Sequence, residues 1–224
     1  MLEVIVFAEG QTEEQFLKRV VAPSLHSRQI YVKAFTLQTS QQGRGGAISF
    51  DRLLHNAKNT LKQHREAILS TFLDLYGLDT DFPEFAAAKA MGGLTERVRR
   101  LEEAMHQAVV NHVHCRPERF IPHIQPHEFE GLLFADVQAL SSTEPRWANY
   151  LEKLQAVRNQ FETPEHINDS YETKPSRRLE SLLRPGYKKV RHGPLAAGRV
   201  TLATMEAECP HFQSWMAKLR ALAL

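Results

Sequence analysis

Acidic side chains recur in this chain at places where apolar runs stop. Glu9 closes VIVFAE, Asp74 sits in TFLDLYG, and Asp79 and Asp81 follow it in LDTDFP. Glu128 and Glu130 come just after IPHIQP, in HEFEGLLF. A carboxylate is costly to bury, and several brought together repel one another. A hard divalent cation is the usual remedy. Mg²⁺ takes a few carboxylates, keeps waters, and binds phosphates with its remaining positions. Mn²⁺ can stand in for it. Such a centre suits phosphoryl chemistry, in which a metal activates water and stabilises the departing oxygen.

Each acid also has a plainer reading. Glu9 could interact with the dipole of the helix that follows, an alternative of equal weight on pattern alone. Asp74 lies inside an apolar run, where an idle carboxylate is expensive, so a functional role is favoured. Asp79 and Asp81 could be turn formers, which suits at least one of them. Glu128 and Glu130 are two residues apart; on a helix they would diverge, so one of the pair is expected to face the site. Gly10 leaves the backbone room to turn after Glu9. His127, next to Glu128, reads as a neighbour of the site or a substrate contact, with a structural role close behind.

The elements that must position these residues alternate between strand and helix. Leu2–Ala8 reads as a buried strand rich in Val and Ile. Thr12 and Gln15 have the spacing of a capping box, and Glu13 and Glu14 suit a first helical turn. Phe16, Leu17, Val20 and Val21 form the apolar stripe, and Pro23 limits or bends the helix. Further strands are expected at Ile30–Leu37, Ala67–Leu75 and Arg119–Gln125. Helices are expected at Asp51–Arg65 and Leu94–Val113, and His127–Leu140 reads as mostly helical. Gln38–Ser49, with Gly43, Gly45 and Gly46, reads as a mobile loop. The alternation predicts an α/β fold with a mostly parallel central sheet flanked by helices. Ligands of such sheets bind beyond the carboxyl ends of the strands, where these acids fall. Residues 1–142 form this core. Residues 143–224 show helices and no good strand, and read as a helical extension packed on the core as one unit.

The bulk numbers exclude more than they select. With 224 residues, 42% hydrophobic and 24% charged, the chain is an ordinary globular one. A formal net charge of +2 decides nothing about nucleic acid. Two distant cysteines, Cys115 and Cys209, give no disulfide framework. There is no apolar run of membrane-spanning length and no basic leader, so a cytoplasmic protein without a membrane partner is expected. Motifs for a P-loop, a dinucleotide fingerprint and a nucleophile elbow are missing. His112, His114, Cys115, His123 and His127 are zinc-type ligands, but their spacing matches no common closed site. A basic run, Arg177, Arg178, Arg184, Lys188, Lys189, Arg191 and Arg199, could hold a phosphate backbone or form a solvated face. Lys188, Lys189 and Arg191 are the substrate-contact candidates within it. Phe212 and Trp215 read as core residues.

AEGQTEEQFLKRVVAPSL, FLDLYGLDTDFP, IPHIQPHEFEGLLFAD, YKKVRHGPLAAG and ECPHFQSWMAKL together resemble the DUF4276 family, which is grouped with the Toprim-like fold. The resemblance spans nearly the whole chain. It implies a Toprim-type core that binds Mg²⁺ through a glutamate after the first strand and aspartates after a later one. On that pattern Glu9 matches the glutamate and Asp74 the first aspartate. Position 76 is Tyr where the pattern has a second aspartate, leaving Asp79, Asp81 or Glu128 to supply the carboxylate. Toprim relatives include topoisomerases, primases and nucleases, and several act in phage defence beside ATPases. The expected function is therefore a Mg²⁺-dependent nuclease acting on DNA or RNA, with an ATPase partner and an oligomer both open. The alternative is a non-catalytic binding subunit that docks an ATPase.

Overall fold

The computed structural model describes residues 1–37, 47–168 and 170–223. Of the expected loop Gln38–Ser49, residues 38–46, with Gly43, Gly45 and Gly46, lie outside the described residues, while Ile48 is buried and forms a parallel bridge with Leu78. Among the described residues, five strands form one parallel sheet: β1 (Leu2–Ala8), β2 (Ile30–Thr36), β3 (Ile68–Asp74), β4 (Phe120–Ile121) and β5 (Ile124–Gln125). Their order is β2-β1-β3-β4, and β5 pairs with the end of β3. The predicted fourth strand is split in two at Pro122 and His123, because Pro122 has no N–H to give to a ladder.

A parallel sheet needs both faces covered, and β1 shows how this sequence does it. Val4, Val6 and Ala8 belong to one apolar cluster, Ile5 and Phe7 to another. Alternate residues point to opposite faces, so an unbroken apolar run is what a doubly covered strand requires. The second cluster holds the inward residues of the Phe50–Gln63 and Leu94–Val113 helices, such as Leu53, Leu61, Leu101 and Met105. The first holds the stripe Phe16, Leu17 and Val21 together with Trp147, Phe212 and Trp215 from the C-terminal part. One cluster thus joins residues of the 1–142 core to the helical extension.

Near the N-terminus the expected capping box gives way to a different arrangement. The first helix, Gln11–Phe16, starts from Gly10 without a side-chain cap, and Thr12 is buried inside it. The helix widens into a π-turn over Leu17–Val21 just ahead of Pro23. A proline cannot donate to the preceding turn, and a π-turn is one way to accommodate that.

Asp81 is a structural acid. Both of its oxygens accept the Phe50 N–H, at 2.9 Å each, at the start of the Phe50–Gln63 helix. Asp81→Ala is expected to lower stability by about 1 kcal/mol, the usual value of a helix cap, without changing divalent-metal affinity. Urea unfolding and calorimetry on the one variant check both halves. Among the described residues, no helix is long and apolar enough to cross a membrane.

Candidate metal centre

The sheet register brings the strand ends to a common edge. Ala8 pairs with Phe72 and Asp74 with Gln125, so Glu9, Asp74 and the HEFE segment leave the sheet side by side. The Asp74 N–H donates to Glu9 Oε2 at 3.2 Å, and Asp74 Oδ1 accepts the Phe129 N–H at 2.8 Å. Asp74, Glu128 and Glu130 are buried and offer oxygens that all lie within 4.8 Å of one another.

Both HEFE acids therefore turn inward, where a helical reading expected one. The reason is local. His127 has a left-handed backbone (φ 58°), and the short helix begins only at Glu130. Glu128 precedes the helix, so the helical divergence of residues two apart does not apply to it.

Cations from the C-terminal part meet these acids. Lys174 Nζ lies 2.7 Å from Glu128 Oε1, and the Ser176 N–H donates to Glu128 Oε2 at 3.0 Å. Lys189 Nζ lies 3.1 Å from Glu130 Oε2 and 3.6 Å from Glu128 Oε1. The Tyr187 hydroxyl donates to Glu130 Oε1 at 3.2 Å. Lys189 can reach this place because its helix, Lys189–Val200, packs tightly on the first one. A Cβ on Gly193 would come within 2.7 Å of the Thr12 methyl. Lys188 and Arg191, its neighbours, are exposed. Of the basic run, Lys189 is the residue the structure places among the acids.

One acid escaped the sequence reading. Glu13 is buried at 5% exposure and repels Glu9. The signal was present: Glu13 lies three and four residues before Phe16 and Leu17, on the apolar stripe, where a carboxylate assigned only to the helix dipole does not belong. Lys174 was also missed, and no local pattern marks it.

The electrostatics are those of a crowded acidic pocket. Burial first, then Glu9, pushes the Glu13 carboxyl up to about 7. Burial also raises Glu130 to about 7, with Lys189 opposing and Glu128 reinforcing. Asp74 is raised well above its usual range by burial and by Glu9 and Glu13. Glu9 is raised by burial, against the Asp74 N–H and Lys189. Glu128 goes the other way: burial opposes its charge, but Lys189, Lys174 and Ser176 outweigh burial and lower it. Burial works against the Lys189 ammonium too, yet Glu130, Asp74 and Glu128 hold it protonated. Five carboxylates (Glu9, Glu13, Asp74, Glu128 and Glu130) face two ammoniums, leaving up to three negative charges uncompensated when all are ionised. That donor set, all oxygen and anionic, fits a hard divalent ion.

The remaining candidates lie around this centre. Asp79 Oδ1 accepts the Thr80 N–H at 2.6 Å, a turn contact, and Asp81 caps a helix as described. Neither joins the carboxylates that converge. Tyr76 stacks on His127, ring centroids 5.6 Å apart, and its hydroxyl meets the Asn168 side chain. Burial, then Arg97, lowers His127 to about 4, so it is neutral at pH 7. Gly10 lies against Glu13, 3.2 Å from where a Cβ would stand to Glu13 Oε2.

Gly77 leaves the space that the Glu9 carboxylate fills. A Cβ there would fall 2.0 Å from Glu9 Oε2, inside the space the carboxylate occupies. Glu9 is flexible enough to swing away, so Gly77→Ala is expected to change stability by less than about 1 kcal/mol. By moving Glu9 away from Asp74 it should nevertheless weaken divalent-metal binding at the converging acids by about 10–100-fold, the usual effect of losing a partner that supports the ligands. Calorimetric titration beside a thermal melt separates the two effects.

No curated protein and no solved structure matches the chain. Its sequence does match the family described as Domain of unknown function (DUF4276) over residues 8–220, and with that match across nearly its whole length the chain belongs to the DUF4276 family.

Proposed function

We propose that this protein is a Mg²⁺-dependent nuclease of Toprim-like type, cleaving phosphodiesters of DNA or RNA in the cytoplasm. The convergence of Asp74, Glu128 and Glu130 at the carboxyl edge of a parallel sheet, beside Glu9, carries this reading. Asp74, Glu128 and Glu130 would hold the ion, with Glu9 beside them; Mn²⁺ would substitute. The ion would supply Lewis acidity towards a phosphoryl oxygen.

The chain's own residues have distinct parts. Glu9, whose carboxyl burial raises above its usual range, is the group that would accept a proton from an attacking water. Lys189 stays charged and acts as a fixed positive partner for a phosphate, supplying part of what a second metal ion would. On this reading the HEFE acids would stand in for the second aspartate missing at Tyr76, with an ammonium beside them. The exposed Lys188 and Arg191 extend the positive surface beside Lys189 towards a polyanion. Work beside an ATPase partner in phage defence belongs to the same reading, through the family resemblance alone.

The test is cleavage of plasmid, linear and single-stranded DNA and of structured RNA with Mg²⁺ or Mn²⁺. Loss of cleavage in both Glu9→Gln and Asp74→Asn is expected. Cleavage that survives both would remove this site from consideration.

A second reading has its own support. Lys189 and Lys174 already pair with Glu128 and Glu130, so the cluster is partly neutralised without an ion. A non-catalytic subunit that docks an ATPase would need no more. Calorimetry discriminates: Mg²⁺ binding that disappears in Asp74→Asn argues against a purely structural cluster.

A further inference from the structure

We propose that Glu102, His123 and His211 form a second metal site, selective for a first-row transition ion such as Zn²⁺. The three come from elements far apart in sequence: the Leu94–Val113 helix, the β4–β5 connection and the Pro210–Arg220 helix. Their ligand atoms all lie within 4.8 Å of one another, and none belongs to the acidic centre. His211 Nε2 is 2.9 Å from Glu102 Oε1, and His123 Nδ1 is 3.8 Å from the same oxygen.

The hydrogen bonds around His123 leave Nδ1 ready for a cation. Its Nε2 lies 3.2 Å from Gln125 Oε1, an acceptor, so Nε2 carries the proton and Nδ1 has a bare lone pair. The Gln125 Nε2 is buried without a hydrogen bond, and Gln125 lies on the side of Glu165, whose carboxyl burial raises against the His211 and Phe212 N–H groups and Gln125. Nδ1 of His123 and Oε1 of Glu102 therefore face each other as two acceptors, in side chains 1% and 9% exposed. An ion held by all three would displace the proton that lies between His211 Nε2 and Glu102 Oε1, release it to solvent, and relieve that opposition. Metal–nitrogen and metal–oxygen distances of about 2.0–2.2 Å bridge a 3.8 Å gap at an open angle.

The supports are those expected around metal ligands. The Ile124 N–H donates to Glu102 Oε1 at 2.8 Å. Glu165 accepts the His211 and Phe212 N–H groups at 2.9 Å each, which fixes the start of the last helix. The His123 ring is stacked between His211 and Trp215, at centroid distances of 5.0 and 4.8 Å. Glu102 also lines a surface groove of about 640 Å³, with His106 and Lys218, which gives an ion a way in. Two imidazoles and one carboxylate with open positions select a softer ion than the all-oxygen acidic centre. Bound there, it would tie the C-terminal helix to the sheet.

The experiment is titration of the full chain with ZnCl₂ in excess Mg²⁺, with Co²⁺ absorption as a spectroscopic report of imidazole ligation. One Zn²⁺ per chain and a raised melting temperature are expected, and both should persist in Asp74→Asn. His211→Gln, at a partly exposed position, should weaken Zn²⁺ binding by at least about ten-fold. Glu102→Gln should do the same, and a melt without metal confirms that each variant is folded. No Zn²⁺ binding in the folded wild type, or Zn²⁺ binding that both variants retain in full, overturns the site. Because the readout is binding in a protein lacking Asp74, it stands or falls apart from the nuclease reading.

Discussion

Lys189→Met is expected to destabilise the metal-free protein by about 2–3 kcal/mol near pH 8, measured by urea unfolding in the presence of a chelator. Removing one partner of a buried charge pair typically costs about 3–5 kcal/mol, because the other charge stays buried and unpaired. Here the partners left behind are Glu130, fully buried, and Glu128, almost so. The lower figure applies because 37% of the Lys189 side chain reaches solvent, where water screens part of the interaction. The methionine keeps most of the apolar stem, so lost packing is a minor part of the effect. Lys188→Met is the control: that side chain is exposed, and its loss should stay within about 0.5 kcal/mol. Saturating Mg²⁺ should restore more stability to Lys189→Met than it adds to the wild type, since the ion meets the charge the ammonium had met. Equal costs for the two lysines would mean that the acids are not held ionised at this edge.

How much of this was legible in the sequence differs from one residue to the next. Leu2–Ala8 and Leu94–Val113 were legible to the residue, because a doubly buried strand and a long amphipathic helix impose their patterns on every position. Glu9 and Asp74 were marked by the expense of a carboxylate in an apolar run. Asp81, read as an auxiliary acid or a turn former, caps a helix; residue type and a place in the DTD turn do not reveal which backbone N–H an acid will meet. The inward turn of both Glu128 and Glu130 depends on one left-handed residue, His127, and histidine is no sign of that conformation in the way glycine would be. Glu13 was readable from its place on the stripe. The partners of the acids were harder. Lys189 reaches the site by packing of its helix on the first, Lys174 from the start of a helix packed on Glu130–Leu133, and Glu102, His123 and His211 meet across more than a hundred residues. Such contacts are tertiary and leave no local period.

The acidic centre also fixes how stability should depend on pH. In a chelator, stability is expected to fall as the pH rises from about 4.5 to above 7. Glu13 and Glu130 have an ordinary value of 4.5 and stand at about 7 in the folded protein. Asp74 and Glu9 are raised as well. Across this window the native state holds protons that the unfolded chain has released, so the slope of stability with pH is negative. A carboxyl held at about 7 rather than 4.5 costs the fold roughly 3 kcal/mol once it is forced to ionise. Glu128, lowered instead, loses its contribution only as the pH drops through its own folded value, below the window. A divalent ion favours the ionised forms and reverses the penalty. Mg²⁺ at one hundred times its dissociation constant should add about 2.7 kcal/mol, more strongly at pH 8 than at pH 5. Asp74→Asn then separates function from stability. With a buried carboxylate replaced by a neutral amide, the metal-free variant should be more stable than the wild type at pH 8, with a shallower pH slope. Mg²⁺ should no longer stabilise it, and under the proposed nuclease reading cleavage should fall by at least about 100-fold, as expected when a group central to the reaction is removed. A flat pH profile in chelator, or an Asp74→Asn variant that still gains stability from Mg²⁺, would show that the strand-edge carboxylates do not act as one metal centre. A residue that weakens its own fold until an ion arrives is what a binding site, rather than a structural network, leads one to expect.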